Sequence, residues 1–295
     1  MYFDFTDAPV NKFRMYGGNN GNKINILFQG ENYMLKFPPK PSKNTEMSYT
    51  NGCINEYVAC HIFQSLGIET QETLLGNYGD KLTVACRDFT SDGVVLRDFA
   101  SLKNTIIQSS GNGYGTELIE NLETIREQQI ISSEKLETFF WDMFIGDSLL
   151  GNFDRHNGNW GFLINEKEGK IKIAPIFDCG SCLYPQLAEK QMEYVLSDQK
   201  EIDERIYVFP NSALKNNGKK INYAQFLLET ENKECLSSLK KIGNRINLCR
   251  INDIIDNTPY ISKLHQDFLK TMIKERKEKI IDRAMEKRKI SYGYD

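Results

Sequence analysis

A polar segment, residues 152–159, followed by a second acidic residue at Asp178, constrains this chain more than any other feature. Within the segment Asp154 precedes Asn159 by five positions, and two apolar runs separate Asn159 from Asp178. A positioned carboxylate can orient and deprotonate a hydroxyl group, and amide and carboxylate oxygens are ligands for Mg²⁺. The order of these groups predicts a phosphoryl-transfer site, with Asp154 as base and with Asn159 and Asp178 as metal ligands.

An isolated Asp-Arg-His triplet is more often a solvated turn, and the flanking sequence favours the catalytic interpretation. Phe139, Phe140, Met143, Phe144 and Leu150 recur at helical spacing, which predicts a buried helix before the polar segment. Residues 160–164 and 171–174 predict a hairpin that carries Asp178 back to Asn159. Polar loops on apolar supports are frequent sites of function.

A run of glycine and asparagine near the N-terminus predicts a phosphate-binding loop. Backbone N–H groups in such a run can converge on phosphate oxygens, although a flexible hairpin loop is the alternative for the run taken alone. Residues 12–16 predict a strand before the loop, and the alternating Ile24, Ile26 and Phe28 predict one after it. The candidate residues are Gly17, Gly18, Asn19, Asn20 and Gly21.

Lys36 is the candidate phosphate-binding cation. It lies on a predicted returning strand, residues 33–37, and shares a face with the apolar Met34, so it requires an anionic partner. Glu56 borders the apolar stripe of the next predicted helix and can supply that partner while the lysine reaches ATP phosphates. Alternatively, Glu56 does not pair with Lys36 and is only a negative charge near the start of the helix, where the helix dipole stabilises it.

Two further strands are predicted at residues 73–75 and 82–86, after which the sequence becomes mainly helical. Residues 84–88 are the predicted hinge between two lobes, 1–86 and 87–295. The backbone of Val84, Ala85 and Cys86 is predicted to meet the adenine edge. A second glycine-rich run at 109–116 precedes only a polar helix, so it is interpreted as a mobile loop with hydroxyl groups available for self-modification.

Composition bounds the remaining function classes. A length of 295 residues favours two lobes. A net charge of −3 and a pI near 5.8 provide no general attraction to nucleic acid or anionic membranes. No window approaches the roughly 18 apolar residues of a membrane span, and the N-terminus lacks the pattern of a signal peptide. We therefore expect a cytoplasmic protein without nucleic-acid partners or stable membrane association.

The cysteines and histidines favour neither a disulfide framework nor a zinc site. Seven scattered cysteines indicate reduced thiols, and the three histidines are scattered singly. Cys179 and Cys182 have the spacing of a thioredoxin-type pair, but they follow an antiparallel hairpin and lead into Pro185. His156 is interpreted as an orienting residue that bonds the loop backbone, and Arg155 as a partner for a carboxylate or an acceptor phosphate. The mixed charges of the last helix predict a solvated helix with i,i+4 pairs.

Taken together, these motifs resemble the HipA-like serine/threonine kinases, in particular their compact bacterial members. The resemblance runs through residues 33–38, 55–57, 146–159 and 175–181. It implies an α+β, two-lobed, protein-kinase-like fold. The N-lobe is small and mainly antiparallel with one helix, and the C-lobe is larger and helical with a β-hairpin at the active site.

The same resemblance implies ATP and Mg²⁺ as cofactors and protein serine or threonine hydroxyls as acceptors, including autophosphorylation. Asp154 is then the catalytic base, Asn159 and Asp178 hold the metal, and Lys36 contacts ATP phosphates. The candidate nucleotide site also includes Glu56 and His156.

Three departures limit what the resemblance implies. HipA toxins carry an extra N-terminal subdomain and pair with a DNA-binding antitoxin, whereas this sequence begins near the kinase core, so an antitoxin partner is not expected. The regulatory serine of the HipA phosphate loop has no counterpart in residues 17–22. Cys179-Gly180 replaces the Phe-Gly of eukaryotic kinases. Export into a host cell is implied by the resemblance alone.

Two alternatives stay open at this stage. Phosphatidylinositol kinases carry a similar Asp-Arg-His-x-x-Asn loop, which would make the acceptor a lipid, but no amphipathic membrane-binding segment is evident. A catalytically weak nucleotide-binding scaffold is the other alternative, and ATP turnover separates it from an enzyme.

Overall fold

A computed structural model describes residues 3–16, 23–38, 50–90, 93–107 and 112–291, without the side chains of 289–291. The predicted phosphate loop, Gly17 to Gly21 with Asn22, lies outside the described residues, and so do residues 109–111 of the second glycine-rich run.

The N-terminal part of the chain forms a six-stranded sheet in the order β1-β5-β6-β4-β3-β2. Every neighbouring pair is antiparallel except β1 and β5. Gln29 and Gly30 both have positive φ, as a tight turn of the I′ class requires, and they join β3 to β4. The strands are β1 Phe3–Asp4, β2 Val10–Asn11, β3 Lys23–Phe28, β4 Glu31–Lys36, β5 Thr73–Tyr78 and β6 Lys81–Arg87.

The strand predicted over residues 12–16 is wrong. The strand at this point is β2, which ends at Asn11, because the Asn11 side chain and carbonyl accept the N–H groups of Phe13 and Arg14 in a local turn. Phe13 and Met15 are consequently exposed.

Helix α1, Gly52–Ser65, packs on β5 and β6. Its buried residues include Val58, Ala59, Ile62 and Phe63, which are three and four positions apart as an amphipathic helix requires. Glu56 is buried on the same helix and faces the sheet at Lys36.

The rest of the chain is mainly helical, as predicted, and completes a two-lobed, kinase-like α+β fold. The predicted hairpin is present as β8 and β9, and a third strand that was not predicted, β7, pairs with β8. The elements are β7 Val94–Asp98, α2 Phe99–Ile106, α3 Leu118–Glu127, α4 Ser133–Leu150, β8 Gly161–Asn165, β9 Lys170–Ile173, α5 Glu189–Ser197, α6 Gln199–Tyr207, β10 Lys215–Asn216, β11 Lys219–Lys220, α7 Tyr223–Glu229, α8 Lys233–Gly243, α9 Leu248–Asp256, α10 Lys263–Arg276, a π-helical segment Lys277–Asp282 and α11 Arg283–Ser291.

Helix α4 delivers the polar segment, as the sequence predicted. The Ser132 side chain accepts the N–H of Lys135 at its start, and Gly151, with φ of 64°, ends it in the left-handed conformation. Residues 143–150 are buried without exception, so the last two turns are fixed by the core. The loop that follows therefore begins from a rigid support.

The last helix only partly matches its prediction. The i,i+4 pairs Lys274–Glu278 and Lys279–Glu275 are present. Arg276, however, is buried, and its Nε and Nη2 donate to the Ser148 carbonyl near the C-terminal end of α4 at 2.9 and 2.7 Å. This face of the helix is therefore a structural support for the catalytic region. In the described part of the chain, no helix is long and apolar enough to cross a membrane.

Candidate active site

Lys36 is the centre of an ion cluster that joins the sheet, α1 and the segment after β9. Its Nζ donates to Glu56 Oε1 and Oε2 at 2.6 and 2.8 Å and to Asp178 Oδ1 at 2.8 Å. Burial alone lowers the pKa of Lys36, but the charges of Asp178 and Glu56 outweigh it and raise that pKa well above its ordinary value. The predicted pairing of Lys36 with Glu56 is confirmed, and the lysine is held charged.

Asp178 is held ionised on the open side of this cluster. Its φ of 57° places the backbone in the left-handed region, which aspartate tolerates better than most residues. The side chain is 41% exposed, and the charge of Lys36 lowers its pKa to about 2. Lys36 occupies one carboxylate oxygen, so part of the group remains open to a ligand.

The loop that carries Asp154 is fixed by bonds to its backbone. The Asp154 carbonyl accepts the N–H of His156 at 2.8 Å and the Nδ2 of Asn159 at 2.9 Å. The Asp154 N–H donates to Asn152 Oδ1 at 3.0 Å. Because Nδ2 of Asn159 is committed to this bond, Oδ1 is left as the group available to a metal ion.

The Asp154 carboxylate is less constrained by hydrogen bonds than the Asp154 backbone. Across the part of the chain that the structure describes, no group donates a hydrogen bond to its oxygens. Burial raises the pKa of Asp154 and the charge of Asp178 adds to the rise, while His156, Arg155 and Lys220 oppose it. A carboxylate with a raised pKa and free oxygens suits a proton acceptor.

Arg155 ties the two halves of the site together. Its Nε donates to Asp147 Oδ2 at 3.0 Å, and its Nη1 donates to the carbonyls of Asn159 and Phe177 at 2.9 and 2.5 Å. The side chain is only 4% exposed. Arg155 therefore pairs with a carboxylate, which is the first of the two roles predicted for it. Because it is buried, it is not available to an acceptor phosphate, the second role.

His156 orients the loop. Its Nδ1 accepts the N–H of Gly158 at 3.0 Å, which confirms the orienting interpretation. A Cβ added to Gly158 would lie 3.0 Å from the imidazole, a close contact that the neighbouring side chains would have to relieve by shifting. A contact of His156 with nucleotide stays a prediction.

The three residues predicted to meet adenine lie inside the sheet. Val84, Ala85 and Cys86 belong to β6, which pairs with β4 on one side and β5 on the other, and all three are fully buried. Their backbone groups are therefore not free for an adenine edge. An apolar run does not show whether its strand is central or lies at an edge, which is why this prediction misplaced the contact.

Several supporting residues were missed. Asn157 is fully buried, and its Nδ2 donates to the carbonyls of Gly113 and Gly115 at 2.9 and 2.8 Å, so it joins the catalytic loop to the 112–116 segment. Lys23 lies directly opposite Lys36 in the ladder, and its position next to the glycine run was a usable signal. Asp147 is the third missed residue. It lies in the predicted helix, but the sequence did not indicate that it pairs with Arg155.

The sequence also did not predict a second cluster of interacting side chains, which lies where the chain leaves β6. Asp88 Oδ2 accepts the Tyr16 hydroxyl at 2.5 Å and pairs with Arg14 Nε at 2.6 Å. The rings of Phe89 and Phe177 lie 5.8 Å apart. These contacts join the segment that leads into the glycine run with the segment that leads into the C-lobe.

The thiols support neither a redox pair nor a zinc site. Cys179 and Cys182 are free and fully buried, and Cys179 Sγ accepts Nη2 of Arg155 at 3.4 Å. Within the described ranges, no group of three or more His, Cys, Asp or Glu residues is arranged to hold a metal ion. The Mg²⁺ pair predicted here, one asparagine and one aspartate, is a different kind of ligand set.

Comparisons with known proteins place these features in a family. The model described as HipA-like C-terminal domain matches residues 17–247. Over 282 residues, the chain is 55% identical to the serine/threonine-protein kinase CtkA of Helicobacter pylori strain J99, covering 95% of this chain and 87% of that protein.

Two solved structures extend the comparison. The crystal structure of the Helicobacter pylori proinflammatory kinase CtkA matches with a TM-score of 0.94 and 53% identity over 99% of both chains. HipA of Shewanella oneidensis MR-1, solved with HipB and operator DNA, matches with a TM-score of 0.57 over 96% of this chain and 70% of that one. At 14% identity, the HipA likeness shows the fold alone.

Proposed function

The chain belongs to the HipA-like family of serine/threonine kinases, and we propose that it transfers the γ-phosphate of ATP, with Mg²⁺, to serine or threonine hydroxyls of proteins. The observation that carries the proposal is the contact of Lys36 with both Glu56 and Asp178. A strand lysine, a helix glutamate and a metal-binding aspartate in mutual contact are the arrangement that positions ATP in protein kinases.

In this proposal, Lys36 holds phosphate oxygens of ATP. Glu56 keeps the lysine in place because both of its oxygens accept from Nζ. Asp178 and Asn159 fit Mg²⁺, since one offers a half-exposed ionised carboxylate and the other a free amide oxygen. When bound, the ion neutralises charge on the phosphates during transfer.

Asp154 performs the proton chemistry. Its open carboxylate accepts a hydrogen bond from the acceptor hydroxyl and takes the proton as the oxygen attacks the γ-phosphorus, while the bond from that phosphorus to the bridging oxygen breaks and ADP leaves. The loop backbone is fixed by His156 and Asn159, so the carboxylate keeps its position while its oxygens remain free. Arg155 holds the metal-binding segment and the base loop in one geometry through the Phe177 and Asn159 carbonyls.

We propose that the lobes meet after residue 86, close to the end of β6 at Arg87. The adenine contact then moves from the sheet to residues 88–90, where the chain leaves it. Phe89, partly exposed and next to Phe177, is the residue we assign to the ring.

The test is product analysis with labelled ATP and Mg²⁺. The protein is offered a general protein substrate in one reaction and phosphoinositide vesicles in another, with Asp154→Asn as the inactive control. Label recovered as phosphoserine or phosphothreonine, on the substrate or on the kinase itself, supports the proposal. Label found only in lipid would support a lipid kinase, and no turnover would support a nucleotide-binding scaffold.

A further inference from the structure

A short lysine-rich hairpin projects beside the catalytic loop. Strands β10 and β11 pair Lys215 with Lys220 and Asn216 with Lys219, and the turn residues Asn217 and Gly218 both have positive φ. All six residues from 215 to 220 are exposed. We call this segment the basic hairpin.

The base of the basic hairpin is anchored to the core. Ser212 N donates to the Ile221 carbonyl at 2.8 Å, and Ile221 N donates to the Leu214 carbonyl at 2.9 Å. Leu214 and Ile221 are buried, and Ser212 and Leu214 border the same small cavity as Asp147 and Arg155. The hairpin thus extends from residues that pack directly against the support of the active site.

Further bonds fix its direction. The Tyr223 hydroxyl donates to the Asn152 carbonyl, two residues before Asp154, at 2.6 Å. On the other side, Lys215 N donates to the Thr116 carbonyl at 2.8 Å, and Gly218 N donates to Glu117 Oε1 at 3.0 Å. The basic hairpin is therefore held between the catalytic loop and the 112–117 segment.

The hairpin has one carboxylate at its turn, that of Glu117, which accepts Gly218 N and not a lysine. Lys215, Lys219 and Lys220 form no ion pair with any residue of the described ranges, whereas other lysines of the C-lobe, such as Lys241 and Lys279, pair with carboxylates. The 112–117 segment that holds the hairpin also contacts the catalytic loop, because the Gly115 carbonyl accepts Nδ2 of Asn157 at 2.8 Å. Three cations without ion pairs in the described ranges, on a hairpin held next to the catalytic loop, favour an anionic ligand.

A groove also borders the basic hairpin. It has a volume of about 470 Å³, and Lys220 lies on its wall. Val208, Leu228 and Ile280 give it an apolar surface, and Arg283 adds a further cation.

We propose that the basic hairpin recognises an acidic group close to the acceptor hydroxyl, so that the preferred substrates are serine or threonine residues in acidic segments of proteins. This inference rests on the proposed protein kinase function. The carboxylate of an aspartate or glutamate and the phosphate of an already phosphorylated residue share the required chemistry. Opposite charges across an interface select partners and register, which suits a specificity element.

The experiment compares matched serine peptides. One series carries a single aspartate at each position on either side of the acceptor, a second carries asparagine, and a third carries phosphoserine. We expect kcat/KM for the best aspartate peptide to exceed that of its asparagine match by about threefold to fivefold, since one exposed ion pair contributes up to about 1 kcal/mol. The phosphoserine series shows whether carboxylate or phosphate is the better ligand.

The variant is Lys219→Glu with Lys220→Glu, and the matched control is Lys240→Glu, an exposed lysine on α8. The readout is the aspartate-to-asparagine ratio of kcat/KM. A changed pKa of Asp154 affects both peptides alike, so the ratio isolates recognition. We expect the ratio to fall to one or below in the hairpin variant and to stay at the wild-type value in the control.

The outcomes separate the two proposals. Peptide phosphorylation with equal rates for aspartate and asparagine overturns the recognition proposal and leaves the kinase proposal standing. A preference that survives in the hairpin variant also overturns it. Absence of label on every peptide and protein overturns both. A preference that disappears near 1 M salt, where the Debye length is about 3 Å, supports a surface charge interaction.

Discussion

Asp178 and Asp154 are the same residue type in one site, yet their surroundings shift the pKa values of the two carboxyl groups in opposite directions. Asp178 is bonded to Lys36, and its pKa is lowered to about 2. The oxygens of Asp154 accept no hydrogen bond from any residue of the described ranges, and burial raises its pKa. The fold thus keeps one carboxylate permanently charged and leaves the other able to take a proton.

This difference explains how two aspartates can divide the work. A metal ligand must be ionised at all times, which a neighbouring cation ensures, whereas a base must exchange protons near working pH, which desolvation favours. Pairs of titratable groups whose pKa values are driven apart are a recurring sign of divided roles. The distinction is visible in the side-chain contacts and not in the residue types.

Arg155 is the structural link between the two carboxylates, and its removal should have the largest effect. Arg155→Leu leaves Asp147 buried without its cation, so we expect a loss of about 3–5 kcal/mol in the free energy of unfolding, measured by urea denaturation. Arg97→Leu is the control, because Arg97 is exposed and 4.0 Å from Glu166. Equal losses in both variants would contradict the role given to Arg155.

The lowered pKa of Asp178 depends on the charge of Lys36. Lys36→Met keeps the side-chain stem but removes the charge shared by Glu56 and Asp178, so two carboxylates are left close together. We expect affinity for ATP with Mg²⁺ to fall by about 10²-fold or more, measured by calorimetry. Lys81→Met, an exposed position on β6 of the same sheet, is the control. Unchanged affinity in a folded Lys36→Met protein would remove this lysine from the site.

Stability should depend on pH with opposite signs at the two carboxylates. The lowered pKa of Asp178 means that its ionised form stabilises the fold above pH 4, and this contribution is lost as pH falls from about 4 to 2. After solvent screening of a half-exposed group, it amounts to about 1 kcal/mol. Asp178→Asn should therefore lower the free energy of unfolding at pH 6 and have less effect at pH 3.

For Asp154 the sign is reversed. Its raised pKa means that the protonated form is the one the fold favours, so stability is lost as pH rises from the ordinary pKa of an aspartate through the raised pKa of Asp154. Asp154→Asn should therefore raise the melting temperature slightly at pH 7. A lowered melting temperature for Asp154→Asn, alongside an unchanged one for Asp178→Asn, would break the comparison.

The smallest effect is expected at the thiols behind Asp178. Cys179→Ser with Cys182→Ser should keep most kinase activity under reducing conditions, because a serine hydroxyl can still accept from Arg155 Nη2. Stability should fall modestly, since both positions are fully buried. A large loss of activity in the folded double variant would return a redox or metal role to these residues.

Local patterns predicted the residues that the core itself positions. Alternation placed Lys36 on a strand, helical spacing placed Glu56 on the buried face of α1, and the pair of apolar strands placed Asp178 near Asn159. Each of these inferences depends on a period that burial enforces, and each agrees with the contacts observed.

The remainder depends on contacts between distant parts of the chain. Arg155 bonds to Phe177, 22 positions away, and Arg276 bonds to Ser148, 128 positions away. Strands as short as β10 and β11 leave no alternating pattern in the sequence that could predict them. The partners of such groups are set by tertiary packing, which a single sequence does not reveal.

The most direct test of the division between the carboxylates measures ATP binding and turnover in Asp154→Asn and Asp178→Asn side by side, with Mg²⁺ present. In Asp154→Asn we expect turnover to fall by about 10²–10⁴ while ATP affinity stays nearly constant, because the base is lost and the binding groups remain. In Asp178→Asn we expect the Mg²⁺-dependent part of ATP affinity to be lost as well. Full turnover in Asp154→Asn, or equal loss of ATP affinity in both variants, would contradict the roles assigned here.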